Sequence, residues 1–191
     1  MDALDVTAII PTRGDCDLEP ILDSLIFGDT IVWDNSVRDD FGAFSRYLAI
    51  AEAKTDVIYF QDDDCIVWKD DQRRLLDAYE PGILTAMMPP ERTDYWDTVL
   101  IGWGAIFDRE LPEVAFSRWV DAGEQTKSPE FRIVGADFVF PMLTPWKRLD
   151  GYHLDLPHAH AENRTWASFP DYGLVKETYL REGRAIRDGR S

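Results

Sequence analysis

Three consecutive aspartates, Asp62, Asp63 and Asp64, follow a short apolar run, Val57-Ile58-Tyr59-Phe60, with Gln61 between. Adjacent carboxylates repel one another, so such a cluster is destabilised unless something positive sits on it. Hard carboxylate oxygens suit Mg2+ or Mn2+, which also take phosphate oxygens as ligands. A cation held there would bridge the protein to a diphosphate and neutralise charge growing on a leaving group. The plain alternative is a solvated acidic turn, but the position directly behind a buried run favours the metal. Two other apolar runs end in the same way. Val6-Thr7-Ala8-Ile9-Ile10 leads into Pro11-Thr12-Arg13-Gly14-Asp15, and Thr30-Ile31-Val32-Trp33 leads into Asp34-Asn35-Ser36. All three histidines, His153, His158 and His160, fall in one short stretch, with Asn163 and Arg164 just beyond. An imidazole that ligates a cation and an arginine that grips a diphosphate would form a clamp there; a surface loop with incidental histidines is the competing reading.

The elements that must position these residues follow from periodicity. Each apolar run is β-branched or aromatic and stops abruptly, the pattern of a strand buried on both faces of a parallel sheet. Between them lie helical patterns. Leu18, Ile21, Leu22, Leu25 and Ile26 share one helix face, with Asp17 as N-cap and Gly28 as stop, and Phe41, Phe44, Leu48 and Ala51 share another. This alternation predicts right-handed βαβ units and an α/β fold: a mostly parallel central sheet flanked by helices. Further along, a helix is expected over 70–79, strands over 83–88 and 100–107, and a helix over 111–120. The expectation is a single domain over 1–191, with 157–191 as a mobile C-terminal loop and tail. In such a sheet ligands bind outside the carboxyl ends of the strands, where the three polar clusters lie side by side.

Composition narrows the class. With 191 residues the chain suits one domain with a real core, and its 45% hydrophobic content argues against disorder. The net charge of −16 disfavours broad binding to polyanions, apart from the arginines 181, 184, 187 and 190 near the end, read as a helix end or a mobile tail. The acidic start, Met1-Asp2-Ala3-Leu4-Asp5, lacks the basic-then-apolar pattern of a secretory signal. No apolar run reaches membrane-span length, and two cysteines make no disulfide framework, so a reducing cytoplasm is expected.

Taken together, VTAIIPTR (Val6 to Arg13), the Asp34-Asn35-Ser36 ending and VIYFQDDD (Val57 to Asp64) resemble a GT-A fold glycosyltransferase of the family-two-like kind, in the nucleotide-diphospho-sugar transferase superfamily. The resemblance covers about the first 70 residues. It implies that Pro11, Thr12 and Arg13 line a nucleotide pocket and that Asp34 and Asn35 meet the base or ribose. Arg46 would sit near the nucleotide sugar, with an ordinary surface ion pair as the alternative. Asp62 and Asp63 would contact ribose and sugar hydroxyls. Asp64 would ligate Mn2+ or Mg2+, joined by a late histidine, His158 or His160, while Asn163 and Arg164 would help hold the donor. LIGWGAIF (Leu100 to Phe107) resembles the strand lining the sugar pocket, where Trp103 would stack on a sugar or belong to the core. VGADF (Val134 to Phe138) resembles the segment carrying the catalytic carboxylate. That family usually shows two adjacent acids there, and this chain has only Asp137.

The implied activity is transfer of a sugar from a nucleotide diphosphate, UDP being that family's commonest donor nucleotide, to an acceptor hydroxyl. The acceptor is open: a glycan, a protein, a small molecule or a modified nucleic-acid base. A nucleotidyltransferase of the same sheet is a weaker reading, because Thr12-Arg13-Gly14-Asp15 is a poor match to its glycine-rich loop. An aspartate-nucleophile phosphatase would need its aspartates at the first strand rather than the third. A non-catalytic nucleotide-sugar-binding domain is the remaining alternative.

Overall fold

The computed structural model describes residues 2–159 and 169–190. In chain order the elements are β1 (Val6–Thr12), α1 (Glu19–Ser24), β2 (Asp29–Asp34), α2 (Ser45–Ala49), β3 (Val57–Phe60), β4 (Cys65–Val67), α3 (Lys69–Ala78), β5 (Leu84–Met88), β6 (Ala105–Asp108), α4 (Leu111–Asp121), α5 (Ala136–Leu143), β7 (Trp146–Asp150), β8 (His153–Asp155) and α6 (Tyr172–Arg187). Six strands form one sheet in the order β2-β1-β3-β6-β5-β7, and β4 pairs with β8 in a separate two-stranded ribbon.

The expected strands sit at the centre and one edge of the sheet. β1 pairs in parallel with β2 and β3, so Thr12, Asp34 and Phe60 all end at the same side. β1 and β3 are buried throughout, as their unbroken apolar runs predict. β2 departs from that expectation: it is the edge strand, its residues partly exposed because only β1 flanks it.

One strand runs against the others. β6 is antiparallel to both β3 and β5, while β5 and β7 are parallel. The segment 89–104, between β5 and β6, therefore leaves and returns at the same edge as the ends of β1, β2 and β3. The strand expected over 100–107 begins only at Ala105. Before it, the chain turns to serve that edge: the Gly102 carbonyl accepts a hydrogen bond from the Asp62 backbone N–H at 2.8 Å.

Alternate residues of the central strands feed two cores, the signature of a sheet covered on both faces. Ile9, Ile58, Phe60 and Phe107 pack with Tyr47 of α2, Trp119 of α4, Phe140 of α5 and Leu180 of α6. Ala8, Tyr59 and Ile106 face the other way, onto Phe27 and onto Leu75 and Leu76 of α3. Burying one such Phe or Leu side chain contributes about 1.5–3 kcal/mol, so these two layers fix the strand ends.

Of the loop and tail expected over 157–191, residues 160–168 and 191 lie outside the described residues. Residues 172–187 form a helix, α6, that lies along α5, with Leu180 2% exposed. Arg184 Nε and Nη2 grip the buried Asp97 carboxylate at 2.7 and 3.1 Å, and Arg187 adds a bond to the Asp97 carbonyl at 3.0 Å. Arg181 of the helix and Arg190 just beyond it also have acidic neighbours, Glu182 and Asp188. The arginine-rich end is thus an ion-paired helix rather than a free basic patch. No helix among the described residues is long and apolar enough to cross a membrane.

Candidate functional site

A cleft of about 870 Å3 opens at the edge where the strands end. Of the residues singled out in the sequence, Pro11, Thr12, Arg13, Asn35, Arg46, Asp62, Asp63, Asp64 and Asp137 all line it. Asp34 is not in the lining. Its carboxylate accepts the Ser36 backbone N–H at 2.8 Å, and the Ser36 contacts hold it below the usual aspartate range. His158 stands beside Asp63, and His160, Asn163 and Arg164 lie outside the described residues.

The first two strand ends are pressed together. The Asn35 N–H donates to the Thr12 carbonyl at 2.9 Å, and the Ser45 hydroxyl donates to Asn35 Oδ1 at 2.5 Å. Gly14 makes this approach possible: it adopts φ +73°, and a Cβ there would lie 2.5 Å from Ser36 Oγ.

The aspartate turn is held at both ends. Tyr59 donates its hydroxyl to Gln61 Oε1 at 2.7 Å, and Gln61 Nε2 donates to the Cys65 carbonyl at 2.8 Å. A fully buried glutamine thus spans the turn that carries Asp62, Asp63 and Asp64. From the other side β8, paired with β4, carries the chain back past Asp63, and His158 Nε2 comes within 2.8 Å of the Asp63 carbonyl. Gly102 leaves room for the Asp62 side chain; a Cβ on it would sit 1.9 Å from Asp62 Oδ2.

The electrostatic centre is Arg46. Of the helix face read from Phe41, Phe44, Leu48 and Ala51, Phe44 packs on the core, but Leu48 is only half-buried and Ala51 is exposed. Ser45, Arg46, Tyr47 and Ala49 point inward instead, and Arg46 is 4% exposed rather than a surface ion pair. Its Nη2 lies 2.5 Å from Asp62 Oδ1 and 3.4 Å from Asp137 Oδ2. Burial opposes the charge, but Asp137 and Asp62 more than offset it and keep the guanidinium firmly protonated. Asp137 sits in the first turn of α5, directly after a π-helical turn over Phe131–Gly135. Tyr47 donates its hydroxyl to Asp137 Oδ1 at 3.0 Å. Burial pushes the Asp137 carboxyl up to about 6, with Arg46 and the Tyr47 hydrogen bond pulling it back and Asp62 adding to the rise. A carboxylate poised near neutrality in a cleft is suited to taking a proton or facing a positive centre.

The far end of the cleft is aromatic. Trp103 stacks on His153 at 4.4 Å, and the Arg92 guanidinium lies 5.0 Å from its ring. Sequence reasoning missed Tyr47, Gln61 and Cys16, whose Sγ lies 3.4 Å from Asp63 Oδ2. The one signal for Tyr47 was its place next to Arg46; Gln61 opens the aspartate cluster and reads there as mere spacing.

No protein-family model matches the chain, and no curated protein matches it. Solved structures do match. Glucosyl-3-phosphoglycerate synthase from Mycobacterium tuberculosis, in complex with Mn2+, UDP and phosphoglyceric acid, aligns with a TM-score of 0.61 at 13% identity, covering 95% of this chain and 78% of that one. TarS residues 1–349 from S. aureus, in complex with UDP-GlcNAc, gives 0.54 at 11% identity over 97% and 71%. A 4-diphosphocytidyl-2C-methyl-D-erythritol synthase from Anaerococcus prevotii gives 0.53 at 12% identity over 94% and 100%. At these identities the likeness is one of fold alone: the chain has a GT-A-like fold.

Proposed function

We propose that the protein is a metal-dependent glycosyltransferase that moves a sugar, of hexose type, from a nucleotide diphosphate donor, UDP by preference, to an acceptor hydroxyl. The observation that carries this reading is the Arg46 bridge between Asp62 at the third strand end and Asp137 at the start of α5, inside one cleft lined by the first two strand-end loops. The fold neighbours solved with UDP or UDP-GlcNAc support the donor class.

The residues fit a divalent cation. Donor atoms of Cys16, Asp63 and His158 lie within 4.8 Å of one another, and Asp64 lines the same cleft. Asp63, Asp64 and His158 would hold the ion, with His160 as a further candidate. Mn2+ suits a carboxylate–imidazole pair better than Mg2+, which prefers oxygen throughout. When bound, the ion supplies positive charge against the diphosphate leaving group.

The chain's own residues do the rest. Pro11, Thr12, Arg13 and Asn35 form the wall for the nucleoside and its phosphates, with Asp34 at its rim and Asn163 and Arg164 assigned to the donor. Asp62, fixed by Arg46 and by the room at Gly102, faces donor hydroxyls. The bond from the anomeric carbon to the diphosphate oxygen breaks and a bond to the acceptor oxygen forms. Asp137 takes the acceptor proton if configuration inverts, and stabilises charge on the sugar ring if it is retained.

The test is a panel of nucleotide sugars and acceptors with and without Mn2+. Release of nucleoside diphosphate marks sugar transfer, whereas release of pyrophosphate from a nucleoside triphosphate would point to the nucleotidyltransferase alternative. Binding of nucleotide sugar with neither release would leave a non-catalytic binding domain. Asp137→Asn should lower transfer at least a hundredfold with the fold intact; a rate within a few-fold of the parent would remove Asp137 from catalysis.

A further inference from the structure

We propose that Cys16 is a thiolate ligand of the cation centre, making it a Cys16–Asp63–His158 site that prefers Zn2+ and Co2+ to Mg2+. The inference rests on the cation assigned above, though not on sugar transfer. Cys16 follows β1 in the first cleft loop and is partly exposed, whereas the other cysteine, Cys65, is sealed in the core with its thiol pushed up by burial. A buried thiol of that kind is inert, and a partly exposed one beside a cation site is available for ligation.

One donor pair already stands at the spacing of a bound ion, and the third donor is near. Zn–S bonds of about 2.3 Å and Zn–N or Zn–O bonds of about 2.0–2.2 Å set neighbouring donors of a tetrahedron about 3.3–3.8 Å apart. Cys16 Sγ lies 3.4 Å from Asp63 Oδ2, and one ligand atom from each of Cys16, Asp63 and His158 falls within 4.8 Å of the others. The Cys16–Asp63 contact can also be a thiol–carboxylate hydrogen bond, and His158 Nε2 has its own contact with the Asp63 carbonyl at 2.8 Å, but a thiol is a weak donor, and the two contacts together bring sulfur, carboxylate and imidazole to one place. Three elements distant in sequence supply the donors: the loop after β1, the turn after β3 and the segment after β8. Asp63, 6% exposed, is common to this cluster and to the cleft wall.

A donor set of one sulfur, one nitrogen and one carboxylate oxygen is softer than the all-oxygen set Mg2+ demands. Formation of the metal–sulfur bond displaces the thiol proton to solvent, so one proton leaves Cys16 for each ion bound.

The test uses the full chain, stripped by chelation and titrated with Co2+. The parent should show a thiolate-to-cobalt charge-transfer band in the near ultraviolet that saturates at one ion per chain. Cys16→Ser should abolish the band and weaken Zn2+ binding at least tenfold while leaving Mg2+ binding unchanged; Cys65→Ala should keep the band. Circular dichroism checks that each variant is folded. Absence of the band in the parent, its survival in Cys16→Ser, or its loss in folded Cys65→Ala would overturn the proposal. Sugar transfer without the band would leave the transferase reading intact and remove this one; the band without transfer would do the reverse.

Discussion

Removing one oxygen atom, in Tyr47→Phe, should move the acid limb of the reaction. The Tyr47 hydroxyl donates to Asp137 Oδ1 at 3.0 Å, while its ring packs edge-on against Phe60, Phe116 and Phe140. Phenylalanine keeps those ring contacts and deletes only the donor. The Asp137 carboxyl stands at about 6 against an ordinary 3.8, a difference worth about 3 kcal/mol against ionisation. A hydrogen bond to a charged group contributes about 1.5–3 kcal/mol, and its loss disfavours the ionised form. Taking the lower figure, the carboxyl rises by about one unit, toward 7. At pH near 6 the ionised fraction then falls from about one half to about one tenth, so kcat/KM should drop about fivefold there and converge with the parent in mild alkali. The assay is kcat/KM from about pH 5 to 9, with the Asp137 carboxylate followed by NMR titration. The stability sign is also fixed. A carboxyl raised by the fold contributes stability below 3.8 that is lost as pH rises through about 6, and Tyr47→Phe should extend that window upward. An unmoved acid limb in a folded variant would refute the reasoning.

Other perturbations give separate readings. Arg46→Met leaves Asp62 and Asp137 without their shared cation and should cost about 3 kcal/mol, seen as a Tm loss of about 6–12 °C. Gly102→Ala places a Cβ 1.9 Å from Asp62 Oδ2 and should displace that side chain. We expect the thermal midpoint to fall by no more than a few degrees while nucleotide-sugar affinity, read by calorimetry, drops at least tenfold, because the atom that must yield is a side-chain terminus. Asp97→Asn weakens the grip on Arg184 and Arg187, so amide exchange should rise along α6 more than in β1 or β3.

Much of the positioning was readable before any coordinates. The runs at Val6, Thr30 and Val57 become neighbouring parallel strands, and their polar endings meet because parallel pairing aligns carboxyl ends. Local pattern cannot report a reversal, so nothing in Ala105–Asp108 announces that β6 runs antiparallel, and the segment before it reads as strand when it is really part of the cleft. The sequence leaves Arg46 between a place near the nucleotide sugar and a surface ion pair, because a cation's burial depends on two carboxylates, 16 positions away for Asp62 and far beyond the helix for Asp137. The same limit hides α6: its inward residues satisfy α5 and Asp97, partners that no periodicity within 172–187 names.

The reversed strand has a practical corollary. Because the chain departs from Met88 and re-enters at Ala105 on one side of the sheet, the intervening segment can change length only where it spares Asp97, which anchors α6, and Gly102, which holds the Asp62 turn. A graft that kept those two anchors would reshape one bank of the binding groove while the opposite bank, built from the first three strand termini, kept its ties to the rest of the fold.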